Sequence, residues 1–208
     1  MPPLEVQNAI VEEIEQCQKV IDGAKQVISN YRPTISIDPN WEMVKLGDVC
    51  SFEYGKALPE KDRVDGEFPV MGSNGITGYH NQYLIKNPAI IIGRKGSSGK
   101  VAWIDKNCYP IDTTYYVKLL NNKIDFKFLY FLLLQSNLDS LSGGAGIPGL
   151  NRNDAYLVEI PLPSLEEQKA IVAEIEKERL AVEGCKELVE QFETKIKTKI
   201  AKIWGEEL

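Results

Sequence analysis

The 208-residue sequence predicts a mixed α/β fold in which one glycine-rich domain is flanked by two long coiled-coil-forming helices. Three observations carry this prediction. Segments 3–32 and 164–204 are rich in Glu, Lys, Gln, Ile and Val, with no proline in their interiors, whereas 13 of the 16 glycines fall between residues 40 and 160. The flanks also repeat each other: PPLEVQNAIVEEIE at 2–15 aligns without gaps on PSLEEQKAIVAEIE at 163–176, with 10 of 14 positions identical. Between them, short β-branched runs alternate with glycine clusters, the pattern of strands joined by tight turns. The expected division is 1–39 as an N-terminal spacer helix and linker, 40–160 as the central domain, and 161–208 as a C-terminal spacer helix.

Each element has its own signal. In the first flank Ile14, Ile21 and Ile28 recur by seven, with Ile10, Cys17, Ala24 and Tyr31 between them. That is a heptad seam of a and d positions, the mark of a coiled coil. Strands are expected at Phe68–Met71, Ala89–Ile92, Lys100–Ile104 and Thr114–Leu119, with Val158–Leu162 leading into the second helix. Ile124–Gln135 reads as a buried helix, because Phe126, Phe128, Leu129, Phe131, Leu132 and Leu133 cover most of its surface. Ser164 followed three residues later by Glu167 forms a capping-box signature. Beyond it Ile175, Val182, Val189, Ile196 and Ile203 are spaced by seven, with Ile171, Cys185 and Phe192 at intervening seam positions. A helix over 164–204 would be about 60 Å long at 1.5 Å per residue, longer than the central domain is wide, and reads as a spacer. Burying each larger seam side chain contributes about 1.5–3 kcal/mol, so the helices need partners, within one chain or between two.

Charge and composition bound the function. The net charge is −6 and the pI about 5.0, which by itself argues against a nucleic-acid binder. The charge is unevenly spread, however. Residues 41–160 hold 13 Lys/Arg and 13 Asp/Glu, so the whole excess of acid lies in the helical flanks and their connections. Leu129–Leu134, the longest strongly apolar run, is far short of the roughly 20 residues that span a bilayer, so no membrane association is expected. No secretory-signal pattern opens the sequence. Cysteines at 17, 50, 108 and 185 show no C-x-x-C spacing, which predicts free thiols in a cytoplasmic protein and no zinc site. A single histidine, His80, leaves little room for imidazole catalysis or metal binding, and no metal or cofactor is expected.

The motif closest to chemistry is GRKGSSGK at 93–100, following an apolar strand. A phosphate-binding P-loop needs G-x-x-x-x-G-K-[ST]. Here the spacing from Gly93 to Gly99 is one residue too long, Val101 replaces the hydroxyl residue, and the next segment reads as strand. A basic glycine-rich hairpin remains, bringing Arg94, Lys95 and Lys100, with Ser97 and Ser98, toward DNA phosphates; a solvated turn is the alternative. The second candidate is GSNGITG at 72–78 with Tyr79 and His80. Ser73 and Asn74 can hydrogen-bond base edges and the glycines permit close approach, but a structural turn explains them equally well. In Ile111–Tyr116, Thr114 and Tyr116 would share one strand face and Thr113 and Tyr115 the other. No nucleophile–base pair, methyltransferase segment or paired-carboxylate nuclease signature is present, which predicts a non-catalytic protein.

These residues resemble the DNA-specificity subunits of type I restriction–modification systems. The resemblance rests on LPSLEEQKAIVAEIE at 162–176 and its N-terminal copy, WEMVKLGDV at 41–49, GSNGITGY at 72–79, IGRKG at 92–96 and IDTTY at 111–115, and so covers nearly the whole chain. It implies two target-recognition domains held by two long helices, each domain reading one half of a bipartite site on double-stranded DNA. It also implies methyltransferase (M) subunits docked on the helices and, through them, restriction (R) subunits. This sequence departs from the pattern in having one recognition domain, 40–160, and so resembles a half-subunit. The expected assembly is a head-to-tail homodimer with antiparallel helices, its dimer and partner contacts made through Ile10, Ile14, Ile21, Ile28, Ile171, Ile175, Val182, Val189, Phe192, Ile196 and Ile203. Two-fold symmetry implies a palindromic site, with half-sites one to nearly two DNA turns of about 34–36 Å apart. The resemblance further implies base reading from the variable loops Tyr54–Asp65 and Ser140–Arg152, through Lys56, Lys61, Arg63, Asn151 and Arg152. A coiled-coil protein-interaction module without DNA binding, or the specificity region of a fused restriction enzyme, are the alternatives.

Overall fold

The structure is a computed structural model in which residues 3–143 and 149–204 are described. In chain order the first elements are α1 (Leu4–Asn30), β1 (Met43–Lys45), α2 (Leu46–Val49), β2 (Cys50–Tyr54), β3 (Phe68–Gly72), β4 (Gly75–His80), β5 (Ala89–Gly93) and β6 (Val101–Ile104). They are followed by β7 (Tyr109–Pro110), β8 (Thr114–Leu119), α3 (Phe126–Gln135), β9 (Ser142–Gly143), β10 (Gly149–Leu150), α4 (Arg152–Tyr156), β11 (Glu159–Pro161) and α5 (Leu165–Trp204). The chain forms two compact units, Met1–Pro33 with Ala173–Leu208, and Thr34–Val172. No helix among the described residues is long and apolar enough to cross a membrane.

In the helical unit α1 and α5 pair antiparallel within one chain. Tyr31, at the end of α1, donates its hydroxyl to Glu178 Oε2 at 3.1 Å, Lys25 meets Glu193 at 2.7 Å, and Glu13 lies between Lys195 and Lys199. Ile21 and Ala24 pack on Val189, with Ile28, Cys185, Leu188, Phe192 and Ile196 around them. Of the seam positions, Ile21, Ile175 and Val189 are buried, whereas Ile10, Ile14, Ile28, Ile171, Val182, Phe192 and Ile196 are half-buried. Ile203, near the end of α5, stays exposed. The heptad seam is therefore covered most fully at Ile21, Ile175 and Val189 and least at Ile203.

Hydrogen bonds from Lys199, then Lys195, hold the Glu13 carboxyl below its usual value of 4.5. A carboxylate lowered by folding stabilises the folded state above that usual value, and the contribution is lost as pH falls through the lowered one. Thermal unfolding followed by circular dichroism should show wild type losing more stability below pH 4.5 than Glu13→Gln.

The second unit is layered. Its main sheet has the order β2-β8-β5-β6, every pair antiparallel. Alternation along the strands gives it two apolar faces. On one face Phe52 stands opposite Val117, Ile92 opposite Tyr115 and Ile90 opposite Trp103. Trp103 packs on Phe126 and Tyr130 of α3, and Phe52 meets the ring of Tyr156 in α4 edge-on at 5.5 Å. On the other face Ala89, Ile91 and Tyr116 join Met71 and Cys108, which belong to a second layer built on the sheet β4-β3-β7. Burial pushes the thiols of Cys50 and Cys108 up to about 12 and about 11, leaving them protonated and unreactive at neutral pH. β1 pairs with β11, so the segments entering and leaving the domain lie side by side.

Capping explains where the helices begin. Asp125 accepts hydrogen bonds from the backbone N–H of Lys127 and Phe128, both at 2.9 Å, and starts α3, whose Phe128, Leu129, Phe131, Leu132 and Leu133 are buried. Ser164 and Glu167 form the expected capping box, each side chain accepting from the other's backbone N–H at 3.3 and 3.0 Å. One residue further, Gln168 is fully buried. Its Nε2 donates to the carbonyls of Pro163 and Lys123 at 2.8 and 3.0 Å, and its Oε1 accepts from Asp125 N at 2.7 Å. The glutamine of the repeated motif thus ties the start of α5 to the cap of α3.

The expected strands at 68–71, 89–92, 100–104, 114–119 and 158–162 and the helix at 124–135 are present with shifted ends. Beyond the short elements β1, α2, β7, β9, β10 and α4, which the sequence reading did not include, two differences bear on the site. Gly75–His80, read as turn-rich, is strand β4, paired with β3 around the two-residue turn Ser73–Asn74. Gly75 and Gly78 take φ of +116° and +146°, so the glycines that suggest a turn bend a strand instead. Strand β2 went unread although Cys50, Phe52 and Tyr54 alternate with polar Ser51 and Glu53, the period-two pattern of a half-buried strand.

Candidate nucleic-acid interface

One end of the main sheet gathers most of the candidate residues. β2 and β5 finish there and β8 begins, with Tyr54 opposite Tyr115 and Gly93 opposite Thr114. The backbone N–H groups of Arg94 and Lys95 both donate to Thr113 O, at 2.8 and 3.2 Å. Leu150 N donates to Arg94 O at 2.9 Å, drawing the 149–152 segment to the same place. Four stretches far apart in sequence therefore share one rim.

The 93–100 hairpin is closed at its base, where Gly93 N donates to Lys100 O and Gly99 N to Gly93 O, each at 2.8 Å. A Cβ on Gly93 would sit 2.0 Å from Ser97 O, which is why this position accepts no side chain. Lys95 and Lys100 are exposed, and Arg94 and Ser97 are half-buried. The neighbouring β3–β4 turn joins them: Lys100 donates to Asn74 Oδ1 at 3.0 Å, and Ser73 Oγ lies beside Gly96. Arg94 and Arg152 both lie against the ring of Tyr54, with guanidinium-to-centroid distances of 5.2 and 4.9 Å. Beneath them Tyr115 donates to Leu150 O at 3.1 Å, and burial pushes its phenol up to about 12, so it stays a neutral donor. Among the described residues none of Arg94, Lys95, Lys100 and Arg152 forms an ion pair with a carboxylate.

The other candidates are placed differently. Arg63 donates its Nη1 to Thr77 O at 2.6 Å and its Nε to Leu58 O at 3.4 Å, so its head is occupied by backbone beside β4. Lys61 is exposed on a single 3₁₀ turn, Glu60–Asp62, and Lys56 and Tyr79 are exposed as well. Asn151 uses its Oδ1 to cap α4, accepting from Asn153 N at 3.0 Å. His80 and Ser98 are interior, each 7% exposed. His80 Nδ1 accepts from Val64 N at 3.0 Å with the ring edge-on to Tyr109, and Ser98 donates to Ser142 Oγ at 2.7 Å. Both lie beneath the surface, with His80 Nδ1 and Ser98 Oγ engaged inside the fold. Residues 144–148, in the middle of the 140–152 loop, lie outside the described residues. Tyr54 was visible in the sequence only as the first residue of a candidate loop; an aromatic residue ending a strand before a glycine was the available signal.

A rim of cations without carboxylate partners among the described residues is suited to a polyanion. Residues 39–180 match the family model described as Type I restriction modification DNA specificity domain. The chain is 27% identical over 150 residues to the MjaVIII type I restriction enzyme specificity subunit of Methanocaldococcus jannaschii, covering 66% of this chain and 35% of that one. It is 34% identical over 185 residues to the putative MjaX specificity subunit of the same organism, covering 79% and 42%. The chain thus spans about a third to two fifths of the length of these curated relatives. Its fold is similar to that of the type I restriction-modification S subunit from M. genitalium, with a TM-score of 0.64 at 18% identity over 95% of this chain and 58% of that one. With the glycine-rich unit and the start of its following helix falling inside the matched range, the chain belongs to the type I restriction modification DNA specificity domain family.

Proposed function

We propose that the chain is a non-catalytic, sequence-specific DNA-binding subunit that directs a type I methyltransferase and restriction complex to its target. Residues 40–160 are its target-recognition domain. The observation that carries this reading is the convergence of Arg94, Lys95, Lys100 and Arg152, without carboxylate partners, beside Ser73 and Asn74 in a chain of net charge −6. Cations left unpaired in an acidic chain are suited to phosphate, and amide and hydroxyl side chains beside them are suited to base edges. The helices carry the acidic excess; since Ile21, Ala24 and Val189 of their seam already pack within one chain, their outward faces are assigned to contacts with methyltransferase subunits and with a second copy of the chain. The internal repeat supports the homodimer: one recognition domain with both helix copies is half of a two-domain plan. Two copies related by a two-fold axis read a palindromic bipartite site.

The test is to express the chain with its methyltransferase subunit and map methylated positions across the host genome. A single bipartite palindromic motif is expected. An asymmetric motif overturns the homodimer and keeps DNA reading; methylation with no motif overturns DNA reading itself.

A further inference from the structure

Tyr54 is an exposed aromatic side chain, 48% accessible, at the free end of β2, with a guanidinium from each of two distant segments against its ring. Each arginine is held by a second contact: Arg94 Nε donates to Asp112 O at 2.9 Å, and Arg152 Nη1 donates to Phe52 O at 3.3 Å. Both are thereby fixed to the main-chain rim of the sheet, and their remaining N–H groups are uncommitted by those bonds. Glu53 precedes Tyr54, Asp154 lies two residues after Arg152, and Asp112 gives its carbonyl to Arg94, yet none of their carboxylates forms an ion pair with either arginine. Two like charges held against one ring repel each other, and an anion that accepts from both relieves that repulsion. A neutral base edge would need one fork and would leave that repulsion uncompensated, whereas a phosphate accepts from both.

We infer that Arg94, Tyr54 and Arg152 form one built phosphate clamp, with Tyr54 as the positioning residue that aligns the two guanidinium groups on the DNA backbone. This rests on the DNA-binding reading above and reassigns Arg152 from base reading to backbone anchoring. The flat ring holds both forks by cation–π attraction, while the carbonyls of Asp112 and Phe52 fix their rotation. The clamp sets where the strand runs, so the residues around the 73–74 turn meet bases in a defined register.

The test is binding of the full chain to a random-sequence duplex over a series of salt concentrations, with thermal unfolding recorded for every variant. Arg94→Ala and Arg152→Ala should each reduce the slope of log affinity against log salt by about 1, and weaken unrelated duplexes by the same factor. Tyr54→Leu should weaken binding about tenfold, Tyr54→Phe should restore it, and both should unfold as wild type does because the ring is at the surface. Tyr54→Leu combined with Arg152→Ala should cost less than the product of the two single losses, since each disables the same clamp. Unchanged slopes in both arginine variants, with wild type binding normally, overturn the clamp and leave DNA binding standing. A changed sequence preference at unchanged slope overturns the phosphate assignment in favour of base contact. Absence of salt-dependent binding by wild type overturns the DNA-binding reading on which the clamp rests.

Discussion

Replacing Gly99 by alanine is expected to destabilise the central domain by about 3–5 kcal/mol, the largest effect of any single methyl group considered. Two independent causes act at this position. Its φ of +82° is a backbone conformation that residues bearing a Cβ rarely adopt. The added Cβ would also lie 2.2 Å from Asp139 N and 2.4 Å from its Cα, and these are backbone atoms that cannot rotate aside. Relief requires moving either the 93–100 hairpin or the turn at Leu138–Leu141, where Leu138 is buried. A loss of that size should lower the thermal midpoint by roughly 10 °C or more. Gly143→Ala is the matched control: nothing lies within 4 Å of its Cβ position, and stability should stay within about 0.5 kcal/mol of wild type.

Gln168→Leu should cost about 3–5 kcal/mol, although it preserves side-chain volume and adds apolar character. The leucine removes three hydrogen bonds and leaves the carbonyls of Pro163 and Lys123 and the N–H of Asp125 without them. Groups buried without a partner carry their full desolvation penalty. Denaturant titration measures the loss, and hydrogen exchange at Asp125 N should accelerate in the variant before global unfolding. Gln7 is the counterpart of Gln168 in the N-terminal copy of the motif but is only half-buried, so Gln7→Leu should cost less. Equal costs for the two would show that burial is not what separates the copies.

Features encoded locally were legible in the sequence. The capping box at Ser164, the heptads of both helices and the strand at 114–119 each depend on residues within a few positions, and each is present. The 93–100 hairpin was legible for the same reason, since three glycines and a basic run specify it without distant partners. What escaped depends on register between distant strands. Arg152 reaches Phe52 across 100 residues, a contact set by the pairing of β2 with β8 and by the docking of α4 on that sheet. Nothing near Tyr54 or Arg152 in the sequence announces that they share a ring. His80 shows the converse: surrounded by Gly, Tyr and Asn it reads as a loop residue, yet the β3–β4 pairing turns it inward onto Val64 N.

The closed glycine frame has an evolutionary consequence. A Cβ at Gly55, Gly66, Gly93 or Gly99 would come within 2.0–2.4 Å of another segment's backbone or of the hairpin's own, so these positions resist replacement. Positions 95 and 97, between Gly93 and Gly99, and position 100 just beyond carry side chains that the frame does not require for its shape. Residue exchange there can change what the surface recognises while the path of the chain stays the same. A lineage of such domains can diversify its targets by drift at a few rim positions, with folding shielded from the search.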